Sequence, residues 1–328
     1  MTRQSMLMLA PLVFGMYLPM CPTPELRPTM PADQADISEL WVKPVDIARQ
    51  DLFYGPWGRE HAPRSGGTYR FVRPKTGAGK PGMTVVDTQG RKWSVKQAHH
   101  DPARNPEGPV EVVVSRILSA VGYHQPPVYY LPAFTLRDTF GERTEPGGRF
   151  RLDHESLKDR GLWSWQQNPF VDTRPYNGLL VILMMLNSSD LENSNNTLYQ
   201  VRVGDYRQQW FVVRDLGIGL GLTGKVSPPR GDIEAFEEHG FIEGIENGYV
   251  NFDYAGYHEE LIRQRITPED VRWAGELLGE LSYRQWRDAF RAGGYHEQTA
   301  RRFIARLQLK VTVARNLDEL PEGVPVGE

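Results

Sequence analysis

The stretch Asn187-Ser188-Ser189-Asp190-Leu191-Glu192-Asn193-Ser194-Asn195-Asn196 decides how this chain is read. It follows Pro175–Leu186 (PYNGLLVILMML), which is apolar almost all round and reads as a buried helix. It leads into Thr197–Val203 and Gln209–Arg214, two strand-like runs around Gly204-Asp205 that read as a hairpin. The second run ends at Asp215-Leu216-Gly217, the start of a Gly-rich turn (GIGLG). Read alone, Asn- and Ser-rich residues after a helix are a turn, because their side chains hydrogen-bond nearby backbone. This loop is framed by two apolar elements, and loops on rigid frames are where binding and catalytic side chains concentrate.

Upstream, Thr68–Arg73 (TYRFVR), Met83–Asp87 (MTVVD) and Lys92–Gln97 (KWSVKQ) read as an antiparallel β-meander. KTGAGKPG separates the first two, and TQGR separates the second and third. Gly77, Gly79 and Gly82 form a G-x-G-x-x-G in the first connection, where glycine lets backbone approach a ligand closely. A dinucleotide-binding turn would open a helix here, and a strand follows instead. Lys96 lies in the third strand beside Val95, and a buried ammonium needs a partner. Val110–Val121 reads as a helix, with Gly122 at its C-terminal stop. Glu111, near its start, is the expected partner of Lys96, and Glu107 is the competing carboxylate. Pro126–Phe134 reads as a buried strand, and from Pro268 onward three helical segments follow. Strands, helix, strand and a largely helical second half predict an α+β fold in two lobes, an antiparallel β N-lobe and a mainly helical C-lobe. The expected divisions are 1–21 as an export-like segment, 22–66 as linker and lead-in, 67–135 as the N-lobe and 136–328 as the C-lobe.

These parts arrive in an order that chemistry makes meaningful. Transfer of a phosphoryl group needs backbone amides over the phosphates, an orienting cation, oxygen ligands for Mg²⁺, and an acid near the acceptor hydroxyl. Asp190 lies five residues before Asn195 and six before Asn196. A kinase catalytic loop places its base Asp five before a metal-binding Asn that enters a short strand. Spacing favours Asn195, and the strand-like TLYQV after Asn196 favours Asn196. Asp215-Leu216-Gly217 occupies the position of D-F-G, with Leu for Phe.

The segment from about Thr68 to Gly221 resembles the atypical kinases, among them the HipA-like and spore-coat CotH-like bacterial families, and more distantly the secretory-pathway and phosphoinositide kinases. Asn195-Asn196-Thr197-Leu198-Tyr199 is similar to the Asn-Asn and Leu-Tyr stretch of CotH-like proteins, and the Lys96 strand followed by Glu111 resembles HipA-like ones. The resemblance implies ATP with Mg²⁺ or Mn²⁺, Asp190 as catalytic acid-base, Asn195 or Asn196 with Asp215 on the metal, and Lys96 on phosphate. The chain departs from the pattern in two places. Ser188-Ser189 stand where His-Arg would precede the catalytic Asp, and no A-P-E follows Asp215. The acceptor, a protein or a small hydroxyl compound, is left open. So are two alternatives: a pseudokinase acting as a scaffold, and an exported carbohydrate- or envelope-binding protein using the aromatics around Trp163-Ser164-Trp165.

Composition bounds the rest. The chain has 328 residues, with 38 Lys+Arg against 41 Asp+Glu, so no net basic field draws it to nucleic acid. Cys21 is the single cysteine, which excludes an intramolecular disulfide, and no Cys/His group has zinc spacing. Arg3 precedes an apolar run from Met6 to Met20, too short and broken to span a bilayer but suited to an export signal. Leu18-Pro19-Met20-Cys21 resembles a lipoprotein box with Cys21 as lipid anchor, although Pro19 and Met20 stand where small residues belong.

Overall fold

The computed structural model describes residues 35–75, 82–97 and 107–317. Cys21, Gly77 and Gly79, with the expectations attached to them, lie outside the described residues.

Three strands open the fold: β1 (Thr68–Pro74), β2 (Gly82–Val86) and β3 (Lys92–Gln97), paired antiparallel in chain order. Asp87 makes the β2–β3 turn by accepting the amides of Gln89 and Arg91, while Gly90 takes a left-handed φ of 80°. Helix α1 (Glu107–Ala120) follows, then β4 (Val128–Asp138) and β5 (Gly141–Leu152). The strands close into a barrel in the order β1-β2-β3-β5-β4. A ring of five strands cannot alternate direction all the way round, so one neighbouring pair must be parallel. That pair is β1 with β4, Thr68–Arg70 beside Thr135–Arg137. The expectation of a wholly antiparallel sheet is corrected at this seam, and the strands run past residue 135 to Leu152. Tyr69, Trp93, Phe134 and Phe150 fill the interior, with Phe134 edge-on to Phe150 at 5.1 Å.

The rest of the chain surrounds α2 (Arg174–Met185). Thr173 caps this helix, Pro175 sits in its first turn, and every residue from Tyr176 to Met185 is buried. Strand β6 (Leu157–Asp159) pairs with the hairpin β7 (Asn196–Val203) and β8 (Tyr206–Val213). Helix α3 (Ile233–Glu238) and the hairpin β9 (Ile242–Glu246) and β10 (Tyr249–Phe252) come next. Helices α4 (Pro268–Gly279), α5 (Tyr283–Ala292) and α6 (Glu297–Arg315) end the described chain. Capping boxes start two of them, Thr267 with Asp270 and Ser282 with Gln285. The fold is thus mixed, with sheets and six α-helices among the described residues. None of these helices is long and apolar enough to cross a membrane.

Trp163 and Trp165 are 3% and 0% exposed, and Trp163 Nε1 donates to the Val212 carbonyl. They are core residues and offer no stacking surface to a sugar. The carbohydrate-binding alternative loses the support of these aromatics.

Candidate functional site

The β7–β8 register sets up the site. Asn196 pairs with Val213, so the residues just beyond, Asn195 and Arg214, fall opposite each other. The Arg214 amide donates to the Asn195 carbonyl at 2.9 Å. Asp215, next along, therefore emerges beside the Asp190–Asn195 loop. Its φ of 52° is left-handed, an uncommon conformation for a non-glycine residue and one that functional constraint often explains.

Both loops are fastened from below. Asn187 ends α2 with a φ of 51°, and its Nδ2 donates to the Gly221 carbonyl at 2.6 Å. The Leu220 amide donates to Leu186 at 2.8 Å. Lys310 of α6, 1% exposed, donates from Nζ to Asn187 Oδ1 at 2.6 Å and to the Met185 carbonyl at 3.2 Å. One buried amine thus ties α6 to the Asp190 loop, and through Asn187 to the Asp215 loop. Gly217 is required by contact, since a Cβ there would lie 2.9 Å from the Glu107 backbone oxygen.

A cleft of about 630 Å³ gathers Lys75, Gly82, Lys96 and Arg149 from the barrel and its edge with Asp190, Asn195 and Asp215. Lys96 Nζ is 3.2 Å from Glu107 Oε2 and 3.9 Å from Asp215 Oδ1. Glu107 also contacts Arg230. The expected Lys96–Glu111 pair is not formed. Glu111 instead lies 3.0 Å from Arg149 Nε, and both side chains are almost fully buried. The reason is rotational. Glu107 and Glu111 are one helical turn apart on a single face of α1, so strand placement decides which cation each meets. Lys96 and Arg149 are directly paired across β3 and β5, and Arg149 takes the deeper carboxylate.

The two asparagines separate cleanly. Asn195 lines the cleft, with Nδ2 donating to the Asp190 carbonyl at 3.3 Å. Asn196 is fully buried, with Nδ2 donating to the Trp163 carbonyl at 3.2 Å, away from the cleft. Gly82 lines the cleft and is in register with Lys96.

The electrostatics divide the two aspartates. Burial pushes the Asp215 carboxyl up, but Arg151, Lys96, Arg149 and Arg214 outweigh it and hold it well below the usual carboxylate range. Burial raises Asp190, aided by Glu192 and Asp215 and opposed by Asn195 and Lys96. Lys75 is pushed down to about 8, first by burial and then by Arg151 and Arg149. The sequence reading missed Lys75, Arg149 and Arg151. The last two alternate on β5 with Phe150, which faces the barrel interior, so a period-two run at the end of that segment was the available signal.

Among the described residues no three His, Cys, Asp or Glu side chains gather as a metal-binding group. The cleft also carries the carboxylates of Asp190, Glu192 and Glu107; of its oxygen donors, Asp215 is kept ionised by its cations, and Asn195 Oδ1 accepts no hydrogen bond among the described residues. This suits a cation such as Mg²⁺, which takes one or two protein oxygens and completes its shell from phosphate and water.

No family model and no curated protein sequence matches the chain. Among solved structures, the proinflammatory kinase CtkA of Helicobacter pylori is similar at a TM-score of 0.39 and 11% identity, over 76% of this chain and 97% of that one.

Proposed function

We propose that the chain is an ATP- and Mg²⁺- or Mn²⁺-dependent phosphotransferase of atypical, two-lobed kinase-like design, resembling the HipA-like and CotH-like families. One observation carries the reading: Lys96, Asp190, Asn195 and Asp215, distant in sequence, line one cleft, with Lys96 3.9 Å from Asp215.

Lys96 and Lys75 offer the cationic surface for phosphate oxygens, with Gly82 on the adjoining strand. Glu107 holds Lys96 from behind. Asp215 and Asn195 would hold the divalent ion, which supplies charge neutralisation across the transferring phosphates. Asp190 accepts the proton of the acceptor hydroxyl, and its raised carboxyl moves it toward the range that general-base work at neutral pH requires. Arg149, fixed by Glu111 and 3.9 Å from Asp215, positions that carboxylate without reaching substrate. The acceptor is a protein or a small hydroxyl compound. Tyr257, Lys225 and Arg230 also line the cleft.

The test is a thermal-shift titration with ATP and Mg²⁺ or Mn²⁺, followed by phosphate transfer to generic acceptors and to the protein itself. Metal-dependent stabilisation with transfer supports the reading. Stabilisation without transfer makes the chain a binding protein on the same frame. No shift with either metal removes the nucleotide site altogether.

A further inference from the structure

A second cavity of about 830 Å³ shares no lining residue with the cleft. Its charged lining is five arginines, Arg59, Arg64, Arg91, Arg116 and Arg291, against one carboxylate, Glu60. Arg91 and Arg291 are already balanced, by Asp87 at 2.8 Å and Asp288 at 2.9 Å. Arg59, Arg64 and Arg116 have no carboxylate within ion-pair distance among the described residues.

Arg116 is the informative one. It is 2% exposed, rising from the middle of α1. Nη2 donates to the Val128 carbonyl at 2.7 Å and Nε to Phe53 at 3.3 Å, while the Tyr129 ring lies 5.1 Å from Cζ. Nη1 has no hydrogen-bond partner among the described residues. The loop before the barrel is shaped to admit it. Gly55 has a φ of 74°, and a Cβ there would lie 2.7 Å from Nη1. Carbonyls solvate a guanidinium but do not cancel its charge, and burial pushes this one down to about 10. Arg149, equally buried, has Glu111 beside it at 3.0 Å. At Arg116 the nearest counter-charge is Asp51, which offsets part of the burial cost but forms no ion pair with the guanidinium. Beside the guanidinium is a cavity of the size that holds small ligands, roughly 300–1,000 Å³.

We propose that this cavity binds a phosphate monoester carried on an aromatic ring. Three guanidinium groups without an ion-paired carboxylate, set against Glu60 and the more distant Asp51, leave the cavity net positive, and guanidinium is the side chain suited to bidentate phosphate contact. Phe53, Tyr54 and Tyr130 supply the apolar wall for the ring. The ester is either a free small molecule or a phosphorylated tyrosine of a partner chain. Both present the same chemistry. The inference is independent of the phosphotransferase reading.

The experiment is calorimetric titration of the full chain with phenyl phosphate, with phenol as control. Saturable binding to the wild type is expected, with phenol at least about tenfold weaker. Arg59 and Arg64 are exposed, so Arg59→Ala/Arg64→Ala should fold normally and weaken binding about tenfold or more. Lys75→Met/Lys96→Met strips cations from the cleft and should leave phenyl phosphate affinity unchanged. A phosphotyrosine peptide that competes assigns the source to a protein, and failure to compete assigns it to a small molecule. No saturation by about 10 mM overturns the proposal. So does equal affinity in Arg59→Ala/Arg64→Ala, or loss in Lys75→Met/Lys96→Met.

Discussion

Lys96 Nζ stands 3.2 Å from Glu107 Oε2, while Glu111, one turn further along the same helix, stands 3.0 Å from Arg149 Nε. Two carboxylates on one face of α1 thus serve two cations of opposite exposure: the Lys96 side chain is 21% exposed and that of Arg149 is 1%. Lys96 reaches the cleft although Glu107 behind it is buried, whereas the Arg149–Glu111 pair is buried on both sides and holds the frame.

The two carboxylates should therefore respond differently to substitution. Glu111→Gln leaves a buried guanidinium without its counter-charge, which typically costs about 3–5 kcal/mol. Its melting temperature should fall sharply. Glu107→Gln, whose partner Lys96 is partly exposed, should cost less than Glu111→Gln and lose affinity for nucleotide. Paired melting curves and nucleotide titrations distinguish the two. Equal destabilisation would refute the division of labour.

Asp190 and Asp215 should have opposite signs in stability. The raised Asp190 carboxyl holds its proton more tightly folded than unfolded. That contribution is full below the ordinary carboxylate range and disappears as pH rises through the raised value, so at neutral pH the ionised group is a net cost. Asp190→Asn should melt at or above the wild type at pH 7 and lose transfer activity by about 10²–10⁴-fold. The lowered Asp215 carboxyl stabilises above the ordinary range, and its contribution fades as pH falls toward the lowered value. Asp215→Asn should be less stable than the wild type at pH 7, with the gap narrowing in acid. Melting temperatures of the three proteins across pH settle both signs.

Much of this site was legible because its parts lie at strand ends and helix ends. The period-two runs Thr68–Arg73 and Lys92–Gln97 coincide with β1 and β3, and the apolar block Pro175–Leu186 with α2. Asp190, Asn195 and Asp215 follow from the hairpin register once the hairpin is recognised. What the sequence concealed was β5. Gly141–Leu152 contains Pro146, Gly147 and Gly148 among charged residues, the composition of a loop, yet it completes the barrel through backbone pairing with both β3 and β4. Missing β5 meant missing Arg149, and with it the reason Glu111 is not the partner of Lys96. Nor does spacing reveal that Asn196 turns inward to Trp163, since adjacent residues entering a strand face opposite ways.

Lys75 gives the cleft a pH dependence of its own. Its amine, pushed down to about 8, is charged below that value and loses its charge above it. Affinity for an anionic nucleotide should fall as pH rises through about 8, and Lys75→Met should flatten that limb. Binding isotherms between pH 6.5 and 9.5 provide the check. An identical slope in both proteins would exclude Lys75 from the anion surface.

Lys310 should matter for activity more than for stability. Met can fill much of the volume of a buried Lys without its charge, and replacing a buried charge with an apolar side chain is often neutral. Lys310→Met removes the 2.6 Å bond to Asn187 Oδ1. It should keep its melting temperature within a few degrees and lower kcat about tenfold with little change in KM. Unchanged kcat would mean that the amine only fills space.

The most direct measurement is transfer of labelled γ-phosphate from ATP by the wild type, Asp190→Asn and Asp215→Asn, with Mg²⁺ and with Mn²⁺. Folding of each is verified by its melting curve. The expected result is metal-dependent transfer by the wild type, to itself or to an added acceptor. Asp190→Asn should still bind nucleotide without transferring it, and Asp215→Asn should lose metal-dependent binding. Transfer that survives in both variants, or a wild type that neither binds nor turns over ATP with either metal, would contradict the assignment of this cleft.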